Sequence, residues 1–105
     1  MHRLILSTVD SQEEARRLAA LLVERRLAAC VNVLPGIEST YRWQGAIERT
    51  AEWLLLIKSR EDRVEALREA LVEAHPYDVP ECVVLPLEGG HRPYLDWIDA
   101  SLDAG

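Results

Sequence analysis

Five consecutive apolar residues at positions 53–57, Trp-Leu-Leu-Leu-Ile, limit most strongly what this chain can fold into. In a β-strand successive side chains point to opposite faces of the sheet, so such a run places apolar side chains on both faces. A sheet with one face in water shows alternating apolar and polar residues instead. Both faces of this strand therefore need cover.

The segments before this run predict a strand and a helix. Residues 4–8 predict a short buried strand, and Ser11 with Glu14 has the spacing of a capping box at a helix start. Apolar residues then recur at helical spacing over residues 15–22, with charged residues on the other side. The sequence thus predicts a helix with one stripe facing a core.

A long β-hairpin follows. Residues 28–34 predict a strand that resumes after a kink at the Pro-Gly pair 35–36, because alternation continues over residues 37–43. The Gln-Gly pair at 44–45 is a turn signal, and residues 47–58 predict the return strand.

The remaining third predicts a helix, a strand and a last short helix. Ser59 and Asp62 repeat the capping spacing and predict a second helix, which ends before Pro76. Residues 79–87 predict the last strand, and Pro93 predicts the first turn of a final helix.

This order predicts an α+β fold: a ferredoxin-like βαββαβ domain spanning residues 1–105, with an extra C-terminal helix. Right-handed crossovers place both long helices on one face of a four-stranded antiparallel sheet and leave the other face bare. The long hairpin also puts an unprotected strand at the sheet edge. We therefore expect self-association, the alternative being that the C-terminal helix alone covers the second face.

Composition narrows the classes of partner. A formal net charge of −6 argues against nucleic acid and anionic membranes as partners, because both favour clustered Lys and Arg. The apolar run at residues 4–6 is too short for a signal peptide or a membrane span, so we expect a cytoplasmic protein. Cys30 and Cys82 lie far apart without CxxC spacing, which predicts reduced thiols.

Several ordered blocks resemble one family along almost the whole chain. They are LAACVNV at 27–33, STYRWQG at 39–45, Glu52, Lys58, HPY at 75–77, PE at 80–81 and YLDWI at 94–98. Together they resemble the CutA family of divalent-cation tolerance proteins. The resemblance implies a ferredoxin-like homotrimer whose long hairpins pair across subunits, a link to tolerance of metals such as copper, and a binding protein rather than an enzyme.

Metal-ligand candidates are few. His75 is the first, since imidazole suits copper and zinc, and Glu81 and Cys82 follow closely. Cys30 adds a soft thiol. The alternatives are a histidine that caps the helix C-terminus and cysteines that pack as small hydrophobes.

The resemblance also implies a copper site with one thiol and two adjacent histidines in metal-binding bacterial relatives. The matching positions in this chain are Ser7, Ala74 and His75, so two of the three donors are absent. A lone histidine holds a divalent ion only weakly.

A second set of residues combines aromatic rings with both charges, as a cleft for a small polar ligand does. Its members are Tyr41, Trp43, Glu52, Lys58, His75, Tyr77, Glu81 and Trp97. The alternative makes the tryptophans interface anchors, Glu52 and Lys58 a structural ion pair, and Tyr77 a packing residue.

The sequence therefore predicts a trimer that binds Cu²⁺, another divalent cation or a small effector where subunits meet, and that acts in metal-ion response. A PII-like signalling trimer and a scaffold without metal binding remain the alternatives. Catalysis has little support, because no G-x-S-x-G, HExxH or kinase motif is present. An enzyme that uses Lys58 and His75 on a small anion is a further hypothesis.

Overall fold

The computed structural model describes residues 1–104. Its elements are β1 (His2–Val9), α1 (Gln12–Glu24), β2 (Cys30–Trp43), β3 (Ala46–Arg60), α2 (Glu61–Ala74), β4 (Val83–Pro86) and α3 (Arg92–Asp103). The strands form one antiparallel sheet in the order β2-β3-β1-β4. This confirms the predicted α+β fold, a ferredoxin-like βαββαβ domain with an added C-terminal helix.

The hairpin of β2 and β3 is the longest feature of the molecule. Its two-residue turn has positive φ at both Gln44 (49°) and Gly45 (84°), as a type I′ turn requires. The register shifts between Leu34 and Ile37, where the predicted kink lies. Because β1 pairs with β3 only from Trp53 onward, the tip of the hairpin extends beyond the rest of the sheet.

One predicted helix cap is confirmed and the other is wrong. The Ser11 hydroxyl accepts a hydrogen bond from the backbone N–H of Glu14 at 3.2 Å, which caps α1. Ser59, however, lies inside β3, and its hydroxyl donates to the Leu27 carbonyl at 2.6 Å. The ladder between β1 and β3 continues to Arg60, which becomes the N-cap of α2 without a side-chain hydrogen bond.

The two faces of the sheet differ in cover. On one face Ile5, Val9, Leu55 and Ile57 are fully buried and form the main core with apolar residues of α1 and α2. The register places another set on the opposite face, namely Leu4, Leu6, Leu34, Leu54, Leu56, Val83 and Leu85. None of this set belongs to either core cluster, and Leu34, Val83 and Leu85 are exposed.

Helix α3 covers only one end of this second face. Arg60 donates hydrogen bonds to three aspartates: Asp62 at the start of α2, and Asp99 and Asp103 on α3. A small second core joins Ala29 to buried leucine and isoleucine side chains of α3. The remainder of the apolar face stays uncovered within one chain.

Strand β4 is shorter than the predicted residues 79–87. It pairs with β1 only from Arg3 to Leu6, so the segment before Val83 has no strand partner. Pro80 has no backbone N–H and so cannot donate a hydrogen bond to a neighbouring strand. The chain between α2 and β4 is therefore free to contact the hairpin instead.

Two fully buried serines give a matched test of this core. Ser7 has no hydrogen-bond partner for its hydroxyl anywhere in residues 1–104, whereas Ser59 has one. We expect Ser7→Ala to raise the free energy of unfolding by about 1 kcal/mol, because an unsatisfied hydroxyl leaves the core. The same change at Ser59 should lower it by about 1 to 2 kcal/mol. Urea unfolding measures both, and shifts of the same sign would contradict the assignment.

Candidate functional site

An open groove lies where the hairpin extends beyond β1. Its volume is about 670 Å³, and its walls come from the end of β1, the hairpin and the segment after α2. Its lining residues are Thr8, Asp10, Ser39, Thr40, Tyr41, Trp43, Thr50, Glu52, Tyr77, Asp78, Val79 and Glu81. The groove therefore depends on the length of the hairpin and on the path of the segment that precedes β4.

A chain of hydrogen bonds fixes one wall of the groove. His75 ends α2, and its Nε2 lies 2.9 Å from the carbonyl oxygen of Thr8. Its Nδ1 lies 3.1 Å from the backbone nitrogen of Tyr77, whose hydroxyl donates to Glu52 Oε2 at 2.6 Å. Because a carbonyl only accepts and a backbone N–H only donates, His75 carries its proton on Nε2.

Glu52 is the unusual member of this chain. Glu52 is only 6% exposed. Within residues 1–104 its side chain accepts one hydrogen bond, the one from Tyr77. No Lys, Arg or His of that part of the chain forms an ion pair with it. Buried carboxylates are normally paired with a cation, and Glu52 has no such partner within residues 1–104.

Burial and the neighbouring Glu52 carboxylate also change the pKa of Tyr77. Burial raises the pKa of its phenol far above the usual value, and the hydrogen bond to the Glu52 carboxylate raises that pKa further. Both effects disfavour a second negative charge beside Glu52. The phenol therefore remains a hydrogen-bond donor at neutral pH.

The lining of the groove is acidic and aromatic. Asp10, Glu52, Asp78 and Glu81 line it, and no lysine or arginine does. Tyr41, Trp43 and Tyr77 add aromatic rings, and the Tyr41 hydroxyl lies 2.9 Å from Thr50 Oγ1 on the neighbouring strand. Such a lining attracts cations and repels anions.

Comparison with known proteins identifies the family to which this chain belongs. The family model of the CutA1 divalent ion tolerance protein matches residues 3–101. The chain belongs to the CutA1 family.

Relatives of this CutA1 family member cover bacteria, plants and archaea. The divalent-cation tolerance protein CutA of Thermus thermophilus is 50% identical over 98 residues, which are 93% of this chain and 95% of that protein. The rice protein CutA 1, named as chloroplastic, is 48% identical over 90% of this chain, which spans only 53% of the rice protein.

Solved structures agree with the fold. CutA from Xylella fastidiosa has a TM-score of 0.95 at 44% identity, covering 97% of this chain and 98% of that one. The Archaeoglobus fulgidus protein, described as a periplasmic divalent cation tolerance protein, has a TM-score of 0.95 at 39% identity, with 98% and 100% covered. No helix within residues 1–104 of the CutA1 chain is long and apolar enough to cross a membrane.

The predicted cleft of this CutA1 protein separates into two places. Tyr41, Trp43, Glu52, Tyr77 and Glu81 line the groove, and His75 stands behind it, in edge contact with Tyr77 at 4.7 Å between ring centroids. These six residues thus lie together in one chain.

Lys58 and Trp97 lie elsewhere, since Trp97 belongs to α3 and Lys58 on β3 contacts that helix. Lys58 Nζ donates to the Tyr94 hydroxyl at 3.3 Å, and the Tyr94 ring stacks on Trp97 at 5.5 Å between centroids. The alternative ion pair between Glu52 and Lys58 is therefore wrong. The two side chains share one face of β3, but each has a partner from a different segment of the chain.

The predicted metal ligands do not come together within one chain. No group of three His, Cys, Asp or Glu in the part of the chain that the structure describes lies close enough to hold a metal ion. His75 uses both ring nitrogens in hydrogen bonds, Glu81 lines the groove, and Cys30 lies at the start of β2. Burial raises the pKa of the Cys82 thiol, which opposes the thiolate that a metal needs.

A metal ion held by these residues stays a prediction. Sequence reasoning missed Asp10 and Asp78. Asp78 directly follows Tyr77 in the sequence, so its place in the groove could have been predicted from that of Tyr77. Asp10 reaches the groove only because β1 ends there, so it could not be found without the strand register.

The phenol of Tyr77 gives a test of the site by alkaline titration. We expect the phenol of Tyr77, one of three tyrosines in the chain, to ionise well above the ordinary tyrosine pKa of about 10, as followed by phenolate absorbance. Tyr77→Phe should abolish the late transition, while Tyr41→Phe should leave it. Because the folded pKa is raised, the stability from this phenol is complete below about pH 10 and falls as pH rises further. A transition at about pH 10 that is lost in Tyr77→Phe would contradict this network.

Proposed function

We propose that this CutA1 family member is a non-enzymatic homotrimer that binds a small cation in the groove beside its hairpin and acts in the response to divalent metal ions. The observation that carries the proposal is the buried Glu52 carboxylate without a counterion at an acidic groove. The cation is Cu²⁺, another divalent metal ion or a small charged effector. The cytoplasm stays the predicted location.

Self-association is supported by the uncovered apolar face of the sheet. Leu34, Val83 and Leu85 are each more than a third exposed there, and the face continues through partly buried leucines of β1 and β3. Contiguous apolar patches of this kind mark interfaces between proteins. The trimer, rather than a dimer, follows from the family resemblance.

The size of the groove favours a small molecule over a bare ion. Its volume of about 670 Å³ lies within the range of about 300 to 1,000 Å³ that small-molecule sites occupy. A PII-like effector-binding trimer is therefore the second candidate. An enzyme that combines Lys58 with His75 lacks support, because the two side chains have separate partners within the chain.

The mass of the native protein tests self-association. We expect light scattering to give three times the mass of one chain, 11.9 kDa, at micromolar concentration. Leu56→Glu on the uncovered face should reduce that mass, because a charge there opposes burial between copies. Val72→Glu, an exposed apolar residue on α2, is the control and should leave it unchanged. A folded wild-type species of single-chain mass would contradict the proposal.

Calorimetric titration with Zn²⁺ and Cu²⁺ tests the cation site. Glu52→Gln removes the buried charge with little change in shape, and we expect it to weaken binding by about tenfold or more. Glu24→Gln makes the same change of net charge on an exposed position of α1 and serves as the control. Equal heats in both variants would place any metal outside the groove.

A further inference from the structure

Helix α3 does not belong to the main core. Its buried side chains are Leu95, Ile98 and Leu102, which form a small cluster with Ala29 that is separate from the core under α1 and α2. Segments that bury few apolar side chains open at a lower free energy than the core of a protein does. Helix α3 therefore depends on polar contacts for its place on the sheet.

Arg60, the last residue of β3, is central to those contacts. Its Nη1 and Nη2 both donate to the Asp103 carboxylate, at 3.1 and 2.7 Å, and Nη1 also donates to Asp99 at 3.2 Å. Its Nε donates to Asp62, at the start of α2, at 2.7 Å. Isolated surface ion pairs contribute little to stability, but bidentate guanidinium contacts within a network of charges contribute more. One guanidinium thus joins β3, α2 and α3.

The other polar contacts of α3 gather at the same end of the helix. His2 Nε2 lies 2.9 Å from Asp99 Oδ1. Arg63 and Arg26 donate to backbone carbonyl oxygens in the last turn of α3, at 2.8 and 2.9 Å. The end of the helix from residue 99 onward is therefore held by charged side chains of β1, β3, α2 and the segment after α1.

The connection that precedes α3 is held loosely. The backbone N–H of Leu87 still donates to the His2 carbonyl at 3.1 Å, but residues 88–90 form no backbone hydrogen bond within residues 1–104. Two of these three residues are glycines. Hinges in proteins are a few loop residues that absorb a change in φ and ψ. Residues 88–90 can therefore act as a hinge for α3.

We propose that α3 opens as a unit about residues 88–90 while the main core stays folded, and that the contacts of Arg60 set how often it opens. Opening releases Ala29 and Lys58, which α3 covers or contacts in the closed form. It also enlarges the apolar face that is bare within one chain. The proposal is independent of the cation site, because none of these contacts involves a residue that lines the groove.

Hydrogen–deuterium exchange of the native protein, followed by mass spectrometry, tests this opening. We expect the amides of residues 96–103 to exchange at least about tenfold faster than those of residues 53–57 in β3, because local opening costs less free energy than global unfolding. Protection should be similar along residues 96–103, since they open together.

Two matched pairs of variants identify the contacts that control the opening. Arg60→Met should speed the exchange of α3 about tenfold, because charged hydrogen bonds to the helix are lost. Arg68→Met removes a guanidinium whose ion pairs lie within α2 and should leave α3 unchanged. Asp103→Asn, at an exposed position that does not threaten the fold, should speed exchange about threefold. Asp96→Asn makes the same change where the ion-pair partner, Arg92, lies in α3 itself, and should have no effect.

Three results would overturn the inference. Exchange of α3 at the rate of β3 would show that the helix opens only when the whole chain unfolds. Protection that fades steadily toward residue 103 would show fraying of the helix end instead of opening as a unit. Equally faster exchange of α1 and α3 in Arg60→Met and Asp103→Asn would show a general loss of stability.

Discussion

Strand β3 pairs with β1 from Trp53 to Arg60 and with β2 along nearly its whole length, and its apolar side chains reach both faces of the sheet. Leu55 and Ile57 are fully buried under α1 and α2, while Leu54 and Leu56 face the other way. Burial of one large aliphatic side chain stabilises a fold by about 1.5 to 3 kcal/mol. The helix-covered face therefore supplies the core of one chain, and the second face remains available for the proposed self-association.

The candidate site arises from the same hairpin. Because β2 and β3 continue beyond the end of β1, their far half has an open flank, and the segment after α2 packs against it. The hydrogen bond between Tyr77 and Glu52 ties that segment to the hairpin. Removing an ion from water costs several kcal/mol in a protein interior, so one neutral donor compensates the Glu52 carboxylate only in part. The Glu52 carboxylate therefore lowers the stability of the single chain, and the proposed cation binding would offset that cost.

Local signals in the sequence were reliable where short-range chemistry decides the structure. The turn at Gln44-Gly45 and the cap at Ser11 each need only a few neighbouring residues, and both are confirmed. The cap predicted at Ser59 failed because the same residue satisfies its hydroxyl through the distant Leu27 carbonyl while the strand continues. The ion pair between Glu52 and Lys58 failed for a related reason, since two segments far away in the chain supply their partners.

The sequence by itself determined the order of elements, the two-faced central strand and the family, because periodicity, turn chemistry and ordered motifs are local properties of the chain. It also supplied five residues of the groove lining, from Tyr41 to Glu81, through their combination of aromatic rings and charges. Only the tertiary structure decided that His75 is fully engaged in hydrogen bonds, that Lys58 and Trp97 stand apart, and that Asp10 joins the site. Those facts depend on strand register and on where β1 ends, which arise from contacts between segments distant in sequence.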